Sequence, residues 1–324
     1  MKNTFSKSKF GIIAVLLFFV GCENSRISNT QSAENKTVPA DVITLPSLPT
    51  AQKVENGVVV HKVRLNKTDE ASDVWIYLPE KTNGEKIPVV LVTAAGSYLW
   101  NGTSLGEGDQ PEHLPYVRKG FAVIAYETPG SLDDVDMKKV QDETLLKAAN
   151  DFKKSKAGLV SQQNALDYAL EHVSSLDSER IYIAGHSSAA THSLLVAADD
   201  PRIKASIAYA PATDLEKSLG QFVMAFEADL PGFKDFIKQS SPKNNISKIK
   251  VPVFIFHAKD DSVVSIEDTK IFVAELQKVN SNVTFIIAEK GDHYDSMIQE
   301  GIPKAIEWLS KIAFTSKSEN TVSK

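Results

Sequence analysis

Six near-continuous apolar runs, at residues 89–92, 121–125, 181–184, 206–209, 253–256 and 283–287, constrain this chain more than any other feature. Runs of four or five such residues without polar alternation fit strands covered on both faces, the condition of a parallel sheet. Between them lie amphipathic stretches at 162–173, 191–198, 267–279 and 304–312. Two earlier runs, 58–65 and 74–78, alternate apolar and polar residues as half-buried strands do, and the second ends in Pro79 and a polar turn. Strands alternating with helices after an antiparallel start predict an α/β domain. Its sheet is expected to be mostly parallel, with eight strands and helices on both faces. In such a sheet chemistry gathers at the carboxyl ends of the strands.

The ends of the chain read differently. Lys2, Lys7 and Lys9 form a basic start, and an apolar run from Phe10 to Val20 follows. Eleven residues fall short of the about 20 that cross a bilayer and fit the core of a signal peptide. The run closes on Phe19-Val20-Gly21-Cys22, which resembles the bacterial lipoprotein cleavage box, with Phe19 in place of the usual Leu. On that resemblance residues 1–21 are removed, Cys22 becomes the lipidated N-terminus, and acyl chains hold an exported protein on a membrane of the cell envelope. Cys22 is the only cysteine, which excludes an intrachain disulfide and a thiolate metal cluster. Residues 22–53 are rich in Asn, Ser, Thr, Gln and Pro and read as a flexible tether, and residues 315–324 as a disordered tail. Residues 54–314 remain as one domain.

The most informative local segment is Ile181-Tyr182-Ile183-Ala184-Gly185-His186-Ser187-Ser188-Ala189. A strand runs through Gly-x-Ser-x-small directly into a helix. This is the pattern of a nucleophile elbow, a turn so tight that only small residues fit two positions either side of the serine. A serine hydroxyl becomes a useful nucleophile only when a base takes its proton and an acid orients that base. Downstream, the strand ending at His257 leads into Asp260-Asp261-Ser262-Val263-Val264, and the strand ending at Ala288 leads into Gly291-Asp292-His293. Ser187, an aspartate and His293 would thus reach one sheet edge in the order Ser, acid, His.

These residues, with Tyr116-Val117-Arg118-Lys119-Gly120-Phe121, Asp177-Ser178-Glu179-Arg180 ahead of the elbow, and Ser241-Pro242 ahead of Ile249, resemble the α/β-hydrolase superfamily. The resemblance is to the branch that holds dienelactone hydrolases and the catalytic domains of prolyl-oligopeptidase-type enzymes, and covers about residues 75–312. It implies Asp261 rather than Asp260 as the acid. It also implies an oxyanion hole formed by the backbone N–H of Ser188 and a second amide from the loop at 93–97. Ser97 is the residue nominated there, with Gly96 and Tyr98 as neighbours that could take its place.

The expected function is that of an exported serine hydrolase cleaving an ester or related acyl bond of a small-molecule substrate, without cofactor or metal. Activity is expected to rise through roughly pH 6–8 as His293 loses its proton. A prolyl-oligopeptidase-type peptidase is the nearest alternative; such enzymes usually carry a β-propeller, for which residues 23–75 are too few. A non-catalytic, membrane-tethered binding protein on the same fold is the other. A dienelactone hydrolase proper would carry cysteine at position 187. With 36 Lys and Arg against 41 Asp and Glu and no basic stripe among aromatics, nothing calls for nucleic acid. His186, His192 and His257 read as structural histidines, and Tyr98, Trp100 and Phe222 as pocket or core. Residues 211–249 leave room for a small helical lid.

Overall fold

The computed structural model describes residues 45–66, 72–81 and 84–314. The signal segment, Cys22 and the tail lie outside these residues. No helix among those described is long and apolar enough to cross a membrane.

Nine strands form one sheet: β1 (Gln52–Glu55), β2 (Val58–Leu65), β3 (Ser72–Pro79), β4 (Ile87–Thr93), β5 (Ala122–Tyr126), β6 (Leu176–His186), β7 (Ile203–Tyr209), β8 (Val253–Ala258) and β9 (Val283–Ala288). Their order is β1-β2-β3-β5-β4-β6-β7-β8-β9. The pairs β1–β2, β2–β3 and β3–β5 are antiparallel, and the rest are parallel. The strand beyond the eight expected is β1, which lies partly inside the stretch assigned to the tether. Its Gln-Lys-Val-Glu sequence has no apolar run to betray it, because an exposed edge strand needs only backbone partners. Leu45 and Leu48 also pack on the core, so the domain starts earlier than residue 54.

The near-continuous runs hide a period of two. Val90, Val92, Val123, Ala125, Tyr182 and Ala184 face one layer, where α1 (Gln110–Arg118) and α8 (Ile302–Phe314) pack through Leu114, Val117, Ile302, Ile306 and Leu309. Val89, Leu91, Ala122, Ile124, Ile181 and Ile183 face the other, against Ala165, Leu166 and Ala169 of α3 (Leu159–His172). That second layer continues over β7 and β8 through α4 (Ser188–Asp199) and α7 (Ile266–Gln277), which supply Ala190, Leu194, Phe272 and Leu276. β9 is the exception, since it closes the sheet as an edge and five of its six residues are only half-buried.

The cap lies above the carboxyl edge. Helices α5 (Leu215–Asp229) and α6 (Phe233–Ser240) fill the expected lid segment. They bury Leu215, Phe226, Phe233 and Ile237 against Trp100, Leu132 and α2 (Asp142–Lys154), whose Leu145, Ala149 and Phe152 face them. Trp100 is therefore core, stacked on Tyr98 and tilted against Phe226 at 4.9 Å, while Tyr98 and Phe222 sit half-buried at the border of that cluster.

Candidate active site

Ser187 stands between β6 and α4 with φ 55° and ψ −118°. A non-glycine residue there stores strain of about 1–3 kcal/mol, which surrounding bonds must hold. They do: the Ser187 N–H donates to the Tyr209 carbonyl at 2.8 Å, and its own carbonyl accepts from Ala190 and Thr191, each at 3.1 Å. Gly185 makes the turn possible. A Cβ at that position would lie 2.2 Å from the Ala189 carbonyl oxygen, so a side chain there would push the first turn of α4 off the sheet.

The acid and base arrive from β8 and β9. His293 donates from Nδ1 to Asp261 Oδ2 at 2.8 Å. Asp261 Oδ1 accepts the amides of Val263 and Val264 at 2.9 and 2.8 Å. The Asp261 side chain is wholly buried. Burial opposes its ionisation, but hydrogen bonds from His257 and His293 outweigh that and hold the carboxyl well below the ordinary aspartate range. Asp260 does something else. It is exposed, and its carboxylate accepts the amides of Gly291 and Asp292 at 3.2 and 3.0 Å. Asp292 answers by accepting the Ser262 amide at 2.7 Å and the Ser262 hydroxyl at 2.9 Å. The loops after β8 and β9 are therefore stitched in both directions.

Two histidines read as structural carry more than that. His257 is wholly buried, and its Nε2 lies 3.0 Å from Asp261 Oδ2, so the carboxylate faces two imidazoles. The other ring nitrogen of His257 lies 3.0 Å from Thr269 Oγ1 on α7. His186, the residue before Ser187, donates from Nε2 to the His293 carbonyl at 3.1 Å, and the two rings lie 4.5 Å apart. Only the spacing of His257 four residues before Asp261 hinted at the first contact, and nothing local signalled the second. His192 is structural as expected: it bonds Tyr126 and the Ala157 carbonyl, and burial pushes it down to about 4.

Asp261 and His293 are thus brought together, and His293 is brought against the residue preceding Ser187. Among the described residues Ser187 Oγ makes no hydrogen bond, and His293 Nε2 faces no partner. Such links are often long in unliganded sites and tighten when substrate binds. The remaining two expected residues meet in an unexpected way. Gly96 N–H and Ser97 N–H both donate to the hydroxyl oxygen of Ser188, each at 3.1 Å, rather than pointing at an open site. The next two amides are engaged as well, Tyr98 N–H with Asn101 Oδ1 and Leu99 N–H with Ser97 Oγ, both at 2.8 Å. Beside Ser188 lies a cavity of about 30 Å³, walled by Thr93, Ala94, Leu99, Phe152, Leu195 and Leu215 among others. No group of three His, Asp or Glu side chains among the described residues could hold a metal ion.

The surroundings of His293 bear on its protonation, and through it on the pH dependence expected if this ring is the base. Burial lowers its pKa first, the Asp261 hydrogen bond raises it, and the neighbouring His186 lowers it; the net shift is downward. Only the neutral ring can accept a proton from a serine. The acid limb of kcat/KM, which reports the free enzyme, is therefore expected below the 6.5 of an ordinary imidazole. This is lower than the sequence-based expectation. A limb centred above 6.5 would contradict the assignment.

A model of the prolyl oligopeptidase family matches residues 143–317. No curated protein matches the chain. Among solved structures, the acylaminoacyl peptidase of Pyrococcus horikoshii is 18% identical with a TM-score of 0.60, over 79% of this chain and 41% of that one. This chain thus spans well under half of that enzyme. An acetyl xylan esterase from Paenibacillus sp. R4 is 14% identical with a TM-score of 0.60, over 82% of this chain and 89% of its own. A dienelactone hydrolase candidate from Klebsiella pneumoniae subsp. pneumoniae MGH 78578 is 18% identical with a TM-score of 0.57, over 80% of this chain and 98% of its own. At these identities the likeness is one of fold.

Proposed function

We propose, from the premise that this chain belongs to the prolyl oligopeptidase family, that it is an exported serine hydrolase cleaving a small ester through an acyl-enzyme. The observation that carries the reading is the buried Asp261–His293 pair, bonded at 2.8 Å. It rests against the residue that precedes a serine held at a strained backbone angle. In this reading Ser187 Oγ attacks the acyl carbon as His293 Nε2 takes its proton. The proton then passes to the departing alkoxide, and the acyl group stays on Ser187. Water attacks the acyl carbon, gives a proton to His293, and releases the carboxylic acid, the proton returning to Ser187. Asp261 keeps the imidazole in the Nδ1–H tautomer and balances the imidazolium without taking the proton itself.

Ester is preferred to peptide because the likeness to the acetyl xylan esterase runs over 89% of that chain, whereas the acylaminoacyl peptidase is matched over only 41% of its own. The experiment is labelling with a fluorophosphonate probe, located by mass spectrometry, together with rates on p-nitrophenyl acetate, butyrate and octanoate and on peptide p-nitroanilides. The expected result is an adduct on Ser187 and fastest turnover of the acetate or butyrate. Peptide anilides cleaved as well as esters would favour the peptidase reading, to which the family also lends support. Absence of the adduct would end the serine-hydrolase reading. Export and anchoring rest on the sequence of the first 22 residues alone. Cys22→Ser is expected to move the protein from the detergent phase to the aqueous phase in a Triton X-114 partition; unchanged partitioning would remove the lipid anchor.

A further inference from the structure

The loop after β4 was expected to give an amide to the anion of a tetrahedral intermediate, yet the structure turns the amides of Gly96 and Ser97 onto Ser188 Oγ. A serine hydroxyl has two acceptor sites and one proton. Both acceptor sites are taken here, so the only thing this hydroxyl has left to offer is its hydrogen. Among the described residues that hydrogen has no acceptor. The backbone N–H of Ser188, in the first turn of α4, has no partner within the helix either. Two donors without acceptors among the described residues therefore sit on one residue, directly after Ser187.

We infer that the side-chain hydroxyl of Ser188, in addition to its backbone N–H, donates to the substrate oxygen that becomes the oxyanion. The inference rests on the serine-hydrolase reading and deepens it. The two amides polarise the O–H bond and so strengthen it as a donor, and they fix its rotamer, so no reorientation is needed when charge develops. Gly96 and Ser97 become positioning residues that act through the hydroxyl.

The loop is built to hold that geometry. Ser97 Oγ donates to the Asn101 carbonyl at 2.7 Å, and Thr103 Oγ1 to the Ala94 carbonyl at 2.9 Å. Gly102 lies so close to the loop that follows β5 that a Cβ would meet the Thr128 carbonyl at 2.1 Å. A carbonyl oxygen could approach the Gly96 and Ser97 amides directly only by displacing the Ser188 hydroxyl, and that alternative has the opposite consequence for a variant lacking the hydroxyl.

The test compares Ser188→Ala and Ser188→Thr with the full-length protein, measuring kcat and KM on p-nitrophenyl acetate, thermal melting, and fluorophosphonate labelling of Ser187. Loss of one oxyanion donor is worth on the order of 10²–10³ in kcat. Ser188→Ala is expected to lose about that much in kcat with KM changed less than about twofold, and Ser188→Thr, which keeps a hydroxyl, to recover most of it. An unchanged or raised kcat in Ser188→Ala would show the hydroxyl to be an obstacle in front of the amides and overturn the inference. So would a threonine variant as slow as the alanine one, since the loss would then be one of packing. A wild-type protein unlabelled at Ser187 overturns the parent reading instead, whatever the Ser188 variants do.

Discussion

Ser187→Ala is expected to lower kcat on p-nitrophenyl acetate by about 10⁴–10⁶, with KM nearly unchanged and thermal melting preserved. The hydroxyl makes no hydrogen bond among the described residues, so its removal strands no buried partner. The backbone bonds that hold the turn belong to the main chain and stay. His293→Ala is expected to cost as much, and the double variant no more than either, because nucleophile and base act as one unit. Additive losses, or a Ser187→Ala protein within tenfold of wild type, would show that the chemistry lies elsewhere.

Asp261→Asn is the second large effect, and its size comes from the number of donors aimed at one carboxylate. Two amides converge on Oδ1 and two imidazoles on Oδ2. An asparagine must place an NH₂ against one of these pairs, setting donor against donor. With NH₂ toward the rings, His293 is driven to the other tautomer, its proton on Nε2, where it can accept nothing from a serine. The expected loss in kcat is about 10⁴-fold, the size found when the aspartate of such a triad becomes asparagine. Stability is expected to fall as well, by about 1–3 kcal/mol in chemical denaturation, because a wholly buried carboxylate loses hydrogen bonds and leaves a donor without an acceptor. A variant that keeps full activity would assign the acid role to another residue. Asp260→Asn is the comparison: an exposed carboxylate that clips a loop, with a small expected effect on kcat.

The core of the fold was legible because burial on both faces leaves its mark on every residue of a strand. β4, β5 and β8 stand where the apolar runs place them, and the helices at 162–173 and 191–198 differ from α3 and α4 only at their ends. Elements that bury little were not. β1 is polar, and α1 carries Pro111 near its start and Pro115 within, so neither apolar period nor propensity announces it. The cap was foreseen as space for a lid, but α5 is broken by Gly220 at φ 35°, which blurs its repeat.

At the site, residue types and their order along the chain pointed to Ser187, Asp261 and His293, because loops after parallel strands share an edge. The partners of those residues were out of reach. The contact of Ser188 with Gly96 and Ser97 spans some ninety residues of sequence. The packing of His186 on His293 spans more than a hundred. Neither hydrogen-bond direction nor rotamer is written in a pattern of polar and apolar letters.

The reciprocal stitching of the two loops by Asp260, Asp292 and Ser262 has a mechanical result. His293 and Asp261 are thereby tied into one cassette carried on β8 and β9, while Ser187 stands between β6 and α4. A cassette cross-linked in this way is expected to move as a block and keep its internal 2.8 Å bond. Under the proposed function, the link left to be made when substrate arrives is the one from His293 Nε2 to Ser187 Oγ.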